Sequence, residues 1–229
     1  MGEIVEFPSH GATASGYLAV PESGTGPGVV VIQEWWGLVD HIKNVADRLA
    51  GEGFVALVPD LYHGETTREP DEAGKMLMSL NLEQAGKDMS GAVDHVAAHS
   101  TGTGVGVVGF CMGGGLALLL GTLRPDVVKA VVPFYGLNAW PSPGPDWSKM
   151  TAAVQGHYAE NDEGAGPAAV EKLERELGGR GVAVELFLYP GTEHAFFNDT
   201  RPEVYAPEAS AQAWERTLAF LRSTLSAGA

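Results

Sequence analysis

The sequence is poor in cysteine, in positive charge and in charge of either sign. Cys111 is the single cysteine among 229 residues, so no internal disulfide can form and no multi-cysteine metal cluster can be built. Lys and Arg number 14 against 29 Asp and Glu, a formal net charge of −15. That field repels a phosphate backbone and argues against nucleic acid as a partner. Charged residues make up 19% of the chain and hydrophobic ones 45%, against about 25% charged in an average domain, which excludes a disordered chain, a fibre and a coiled coil. The opening residues Met1-Gly2-Glu3-Ile4-Val5-Glu6 hold no basic start and no apolar run. Neither an export signal nor a lipid anchor is expected there, and the expected location is cytoplasmic. From Val105 to Leu123 no residue is charged, a length that meets the threshold of about 18 residues for a membrane span. Glycines at 106, 109, 113, 114, 115 and 121 interrupt it, with β-branched residues before and Leu and Ala after. Strand, tight turn and buried helix is the reading, and no membrane partner is expected.

What is present is an alternation. Ile4–Phe7 and Gly16–Val20 flank a small-residue loop and predict an antiparallel hairpin. Short apolar runs follow at Val29–Ile32, Phe54–Val58, Val105–Val108, Ala130–Phe134, Ala152–Tyr158 and Val182–Leu188, as suits strands of a parallel sheet buried on both faces. Between them apolar residues recur at helical spacing: Ile42, Val45, Ala46 and Leu49; Met89, Val93 and Val96; Leu116 to Leu123; Val170, Leu173 and Leu177. A last amphipathic helix with Trp214, Leu218, Leu221 and Leu225 follows Pro207. This pattern predicts one α/β domain over residues 1–229, a doubly wound, mostly parallel sheet with helices on both faces. Pro141-Ser142-Pro143-Gly144-Pro145 reads as a loop within it.

Gly109-Phe110-Cys111-Met112-Gly113 is a glycine-x-nucleophile-x-glycine pattern between a predicted strand and a predicted helix. Such a turn brings strand and helix backbones together, so its flanks must be small, and it leaves the thiol near the first amides of a helix whose dipole favours thiolate. A cysteine nucleophile needs a base and a group that orients the base, which in this fold follow it in the order acid, then histidine. Asp162 lies just past one predicted strand and His194 just past the next, with Glu160 and Glu163 as rival acids.

These pieces resemble the dienelactone hydrolase family, carboxymethylenebutenolidase-like members of the α/β-hydrolase superfamily. The matching segments are Val31-Ile32-Gln33-Glu34-Trp35-Trp36-Gly37-Leu38, Val58-Pro59-Asp60-Leu61-Tyr62, Gly109 to Gly114, Phe134-Tyr135-Gly136 and Tyr189-Pro190-Gly191-Thr192-Glu193-His194-Ala195-Phe196. The resemblance implies an α/β-hydrolase fold, Cys111 as nucleophile, His194 as base and Asp162 as its orienting acid. It also implies that Glu34 is the carboxylate that interacts with the resting thiol and takes its proton when substrate binds. A carboxylate beside a thiol disfavours thiolate by like-charge repulsion, so the resting sulfur stays protonated and guarded from oxidation. The amides of Met112 and Trp35 are the expected oxyanion hole. Tyr135, Trp36, Phe196, Asn198 and Arg68 are the expected substrate contacts. Asn198 stands where the family's best-known member has an arginine for a substrate carboxylate. The reaction implied is hydrolysis of a small ester or lactone through an acyl-thioester, with no cofactor and no metal.

Two other functions compete: a ligand-binding protein on the same fold without turnover, and a redox sensor built on the lone thiol. Three further signals are set aside. Gly104-Val105-Gly106-Val107-Val108-Gly109 spells a dinucleotide fingerprint but occupies a strand. His95 and His99 lack a third ligand. Asn198-Asp199-Thr200 is a glycosylation sequon without a secretory signal.

Overall fold

The computed structural model describes residues 2–137 and 144–226. The β-branched runs form β1 (Glu3–Ser9), β2 (Ala12–Ala19), β3 (Pro27–Ile32), β4 (Val55–Pro59), β5 (Thr101–Phe110), β6 (Val128–Phe134), β7 (Ala153–Asn161) and β8 (Val184–Glu193). The intervening helices are α1 (Asp40–Gly51), α2 (Pro70–Ser79), α3 (Leu82–His99), α4 (Met112–Leu123), α5 (Pro167–Gly178) and α6 (Pro207–Leu225). The strands make one eight-stranded sheet in the order β1-β2-β4-β3-β5-β6-β7-β8. The β1–β2 and β2–β4 pairs are antiparallel, and every pair from β4–β3 to β7–β8 is parallel. The uncharged run from 105 to 123 splits into β5 and α4, and no helix among the described residues is long and apolar enough to cross a membrane.

Side chains of a strand point alternately to its two faces, so each parallel strand supplies two cores. Val30, Ile32, Val107 and Val131 pack under α3, α4 and α5 with Met89, Val93, Leu116, Leu120, Leu173 and Leu177. Val29, Val31, Val108 and Val132 pack on the opposite face with Ile42, Val45 and Leu49 of α1 and Leu218, Leu221 and Leu225 of α6. The doubly wound α/β architecture expected from the alternation is therefore present.

Helix α2 has no counterpart in the periodicity of the sequence. It starts on Pro70 and buries only Ala73, so it presents no apolar stripe for a pattern to reveal. The Pro-rich loop expected at 141–145 lies partly outside the described residues. Open α/β sheets bind ligands past the carboxyl ends of their strands. Glu34 follows β3, Cys111 follows β5, Tyr135 follows β6, Asp162 follows β7 and His194 follows β8, so the candidate residues share one edge.

Candidate active site

Cys111 occupies the turn between β5 and α4 with φ 55° and ψ −118°, a region that costs a non-glycine residue about 1–3 kcal/mol. The turn is held from both sides. The Cys111 amide donates to the Phe134 carbonyl at 3.0 Å, and the Cys111 carbonyl accepts from the Gly114 amide at 2.9 Å. Its flanking glycines are required by space: a Cβ on Gly109 would lie 1.9 Å from the Gly113 oxygen, and one on Gly113 would lie 2.4 Å from the Ile32 oxygen. Met112 is the first residue of α4, where an amide has no acceptor within the helix and is free for an incoming oxyanion. The Gly113 contact also brings the Ile32–Gln33 backbone against the elbow, which carries Glu34 and Trp35 to the same place.

His194 Nδ1 lies 2.6 Å from Asp162 Oδ2. An ionised carboxylate only accepts, so Nδ1 carries the proton and Nε2 faces the thiol side of the pair. Asp162 is itself fixed, because Oδ1 accepts from the amides of Gly164 at 2.9 Å and Ala165 at 3.0 Å. Burial pushes this carboxyl up, but the hydrogen bond and charge of His194 and the two amides outweigh it and hold Asp162 below its usual value. Burial would likewise lower His194; hydrogen bonds to Asp162 and Cys111, with their charges, instead raise it to about 10. The rival acids are placed elsewhere: Glu160 accepts from the Gly191 amide at 2.9 Å, while no hydrogen bond joins Glu163 to His194 among the described residues.

Glu34 is almost wholly buried, at 1% exposure. Its Oε2 accepts from Asn198 Nδ2 at 2.8 Å and its Oε1 from the Tyr135 hydroxyl at 3.4 Å. Tyr135 has φ 36°, and its amide donates to the His157 carbonyl at 2.7 Å. Its ring meets His194 edge-on at 5.2 Å. Burial, and then the charges of Glu34 and Cys111, push the Tyr135 phenol well above its ordinary range, which keeps it a hydrogen-bond donor.

The expected substrate contacts separate into groups. Trp36, Arg68 and Asn198 line a cavity of about 390 Å³ together with His41, Thr200 and Arg201. Tyr135 sits between Glu34 and His194. Phe196 is fully buried, packed between the Tyr135 ring, edge-on at 5.5 Å, and the tilted Tyr189 ring at 5.0 Å, so it belongs to the core and braces Tyr135. It lies in the turn that follows β8, where no periodicity in the sequence reveals that it faces inward.

Three neighbours were not singled out as site residues. Thr200 donates to Asn198 Oδ1 through its amide at 3.1 Å and its hydroxyl at 2.6 Å. Asp199 contacts His41 Nδ1 at 3.2 Å. The Tyr62 hydroxyl donates to Met112 Sδ at 3.2 Å. The first two lie in the sequon, the only sequence signal that pointed at them. Among the described residues no three His, Cys, Asp or Glu side chains cluster as a metal site. His95 and His99 stack with ring centres 4.4 Å apart on α3.

Known proteins share this arrangement of chain and fold. The protein usf of Aquifex pyrophilus is 37% identical over 98% of this chain and 100% of its own length. A protein of Aquifex aeolicus (strain VF5) with the name "Putative carboxymethylenebutenolidase" is 34% identical over 98% of this chain and 100% of its own. The crystal structure of a dienelactone hydrolase-like promiscuous phosphotriesterase from metagenomic libraries superposes with a TM-score of 0.87 at 22% identity, covering 98% of each chain, a likeness of fold. The family model for the dienelactone hydrolase family matches residues 14–225, a span that holds the elbow and all of the residues gathered at the sheet edge, and the chain belongs to that family of α/β-hydrolase enzymes.

Proposed function

We propose that the protein hydrolyses small carboxylic esters or lactones through an acyl-thioester on Cys111. The observation that carries this reading is the strained elbow at Cys111 facing a His194 whose Nδ1 is held by Asp162 at 2.6 Å. The thiol proton passes to Glu34, and the thiolate attacks the carbonyl carbon while the amides of Met112 and Trp35 receive the oxyanion. The carbon–oxygen bond to the leaving group breaks, and the alkoxide takes the proton on His194 Nε2. Water then gives a proton to His194 as its oxygen attacks the thioester, the carbon–sulfur bond breaks, and the sulfur recovers its proton from Glu34. The raised proton affinity of His194 supports its imidazolium as the acid of the first half-reaction. Trp36 and Arg68, with Arg201, are assigned to the bound substrate beside this centre, and Tyr135 to its wall. No step calls on a metal or cofactor, and the single unpaired thiol accords with a cytoplasmic enzyme.

The test is a quenched reaction with an aryl ester followed by mass spectrometry. An acyl adduct on the Cys111 peptide is expected, with activity lost in Cys111→Ala. Saturable binding without adduct or product would replace this reading with that of a ligand-binding protein.

A further inference from the structure

The tripeptide Asn198-Asp199-Thr200, a sequon by pattern, is built into the protein rather than displayed on it. Asn198 is 2% exposed, and its Nδ2 donates to Glu34 Oε2 at 2.8 Å. The orientation of this amide is decided by its own bonds: the amide and the hydroxyl of Thr200 both donate to Oδ1, so the NH₂ end must face the carboxylate. The Asn198 amide donates to the Ala195 carbonyl at 2.9 Å, which ties this clamp to the loop that carries His194. From the other end Asp199 contacts His41, a buried residue of α1. Glu34 thus has one neutral donor on each oxygen, a short bond from Asn198 and a long one from Tyr135, and among the described residues it joins no ion pair.

We infer that Asn198 is a positioning residue that holds Glu34 in place with an uncharged donor, at the sheet edge that also carries Cys111. This rests on the role of Glu34 under the proposed function and deepens it. An amide gives the carboxylate one hydrogen bond and no charge of its own, so it aligns Glu34 without forming an ion pair with it. With Oδ1 occupied by Thr200 and Nδ2 by Glu34, Asn198 works on the carboxylate and not on the substrate. A glycan on Nδ2 would break the same bond.

The test is a double-mutant cycle of wild type, Glu34→Gln, Asn198→Leu and the double variant. It is read by the pH profile of Cys111 alkylation with iodoacetamide and by kcat and KM on an aryl ester. Asn198→Leu is expected to move alkylation to lower pH, in the direction of Glu34→Gln, and to lower kcat about 10- to 100-fold with KM nearly unchanged, as for loss of a hydrogen bond to a charged group. In the Glu34→Gln background it should add nothing. Equal effects of Asn198→Leu in both backgrounds, or a raised KM with unchanged kcat, overturn the inference. Should Glu34→Gln leave alkylation unchanged, the gating role of Glu34 falls, and coupling in kcat alone decides Asn198: non-additive losses support it and additive ones refute it. Asn198→Ala replaces Asn198→Leu in the cycle if that variant does not fold, and it is expected to act in the same direction because it too leaves Glu34 Oε2 without its donor.

Discussion

Two histidines on neighbouring strands of the same sheet are driven in opposite directions. His157, within β7, is fully buried, with Nδ1 2.8 Å from the Tyr189 hydroxyl and Nε2 3.1 Å from the Thr217 hydroxyl. The rings of Phe134 and Phe187 flank it at 4.6 and 5.7 Å. Burial, helped by the charge of Arg216, lowers it to about 3. His194, just past β8, keeps 40% of its side chain exposed beside an Asp162 side chain only 4% exposed, and it is raised to about 10. Burial acts against the imidazolium at both positions. At His194 a carboxylate aimed at Nδ1, together with the Cys111 sulfur, reverses the outcome, and those contacts turn a histidine from a neutral packing group into an acid and base.

The largest expected effect comes from removing that carboxylate's charge. Asp162→Asn should lower kcat about 10³- to 10⁴-fold, since the imidazole loses both its tautomer and its stabilised cation. Steady-state kinetics that show less than a tenfold loss would erase the distinction between the two histidines. The second experiment strikes the other member of the pair. His157→Phe should cost about 2–4 kcal/mol in urea unfolding through two lost buried hydrogen bonds, with kcat changed by less than an order of magnitude. A collapse of activity at unchanged stability would instead place His157 in the chemistry.

The smallest effects lie in the pH dependence of stability, and their windows are opposite. His157 has a depressed folded value, so the unfolded chain binds its proton first; stability should fall as pH drops below the usual 6.5 toward about 3, and His157→Phe should flatten that slope. His194 has a raised folded value, so its contribution is complete below 6.5 and disappears as pH rises through about 10. The half-exposed ring makes that second change modest, and Asp162→Asn should reduce it, because Cys111 also raises His194. Thermal midpoints across pH 3 to 11 in the three proteins measure both.

Most of the frame was readable because it rests on local rules. Short continuous apolar runs such as Val29 to Ile32 became strands, and helical spacing in Ile42, Val45, Ala46 and Leu49 became α1. The elbow was readable because its glycines are a steric necessity, shown by the Gly109 and Gly113 contacts. Helix α2 escaped because a helix that buries one alanine leaves no pattern. Family resemblance named Asp162, while spacing alone left Glu160 and Glu163 open, because three acids within four residues differ only in where the end of β7 points them. Asn198 was read as a contact for substrate, yet its amide meets a glutamate 164 positions away, a pairing that no spacing encodes.

Residue order and type were sufficient to specify a parallel sheet with a thiol on its carboxyl edge, since periodicity and backbone sterics act between near neighbours. Which acid holds His194, which donor holds Glu34 and which histidine stays neutral depended on the folded chain. Those outcomes arise where burial and charge compete over a few ångströms between segments far apart in sequence, and neither can be evaluated until packing sets the distances.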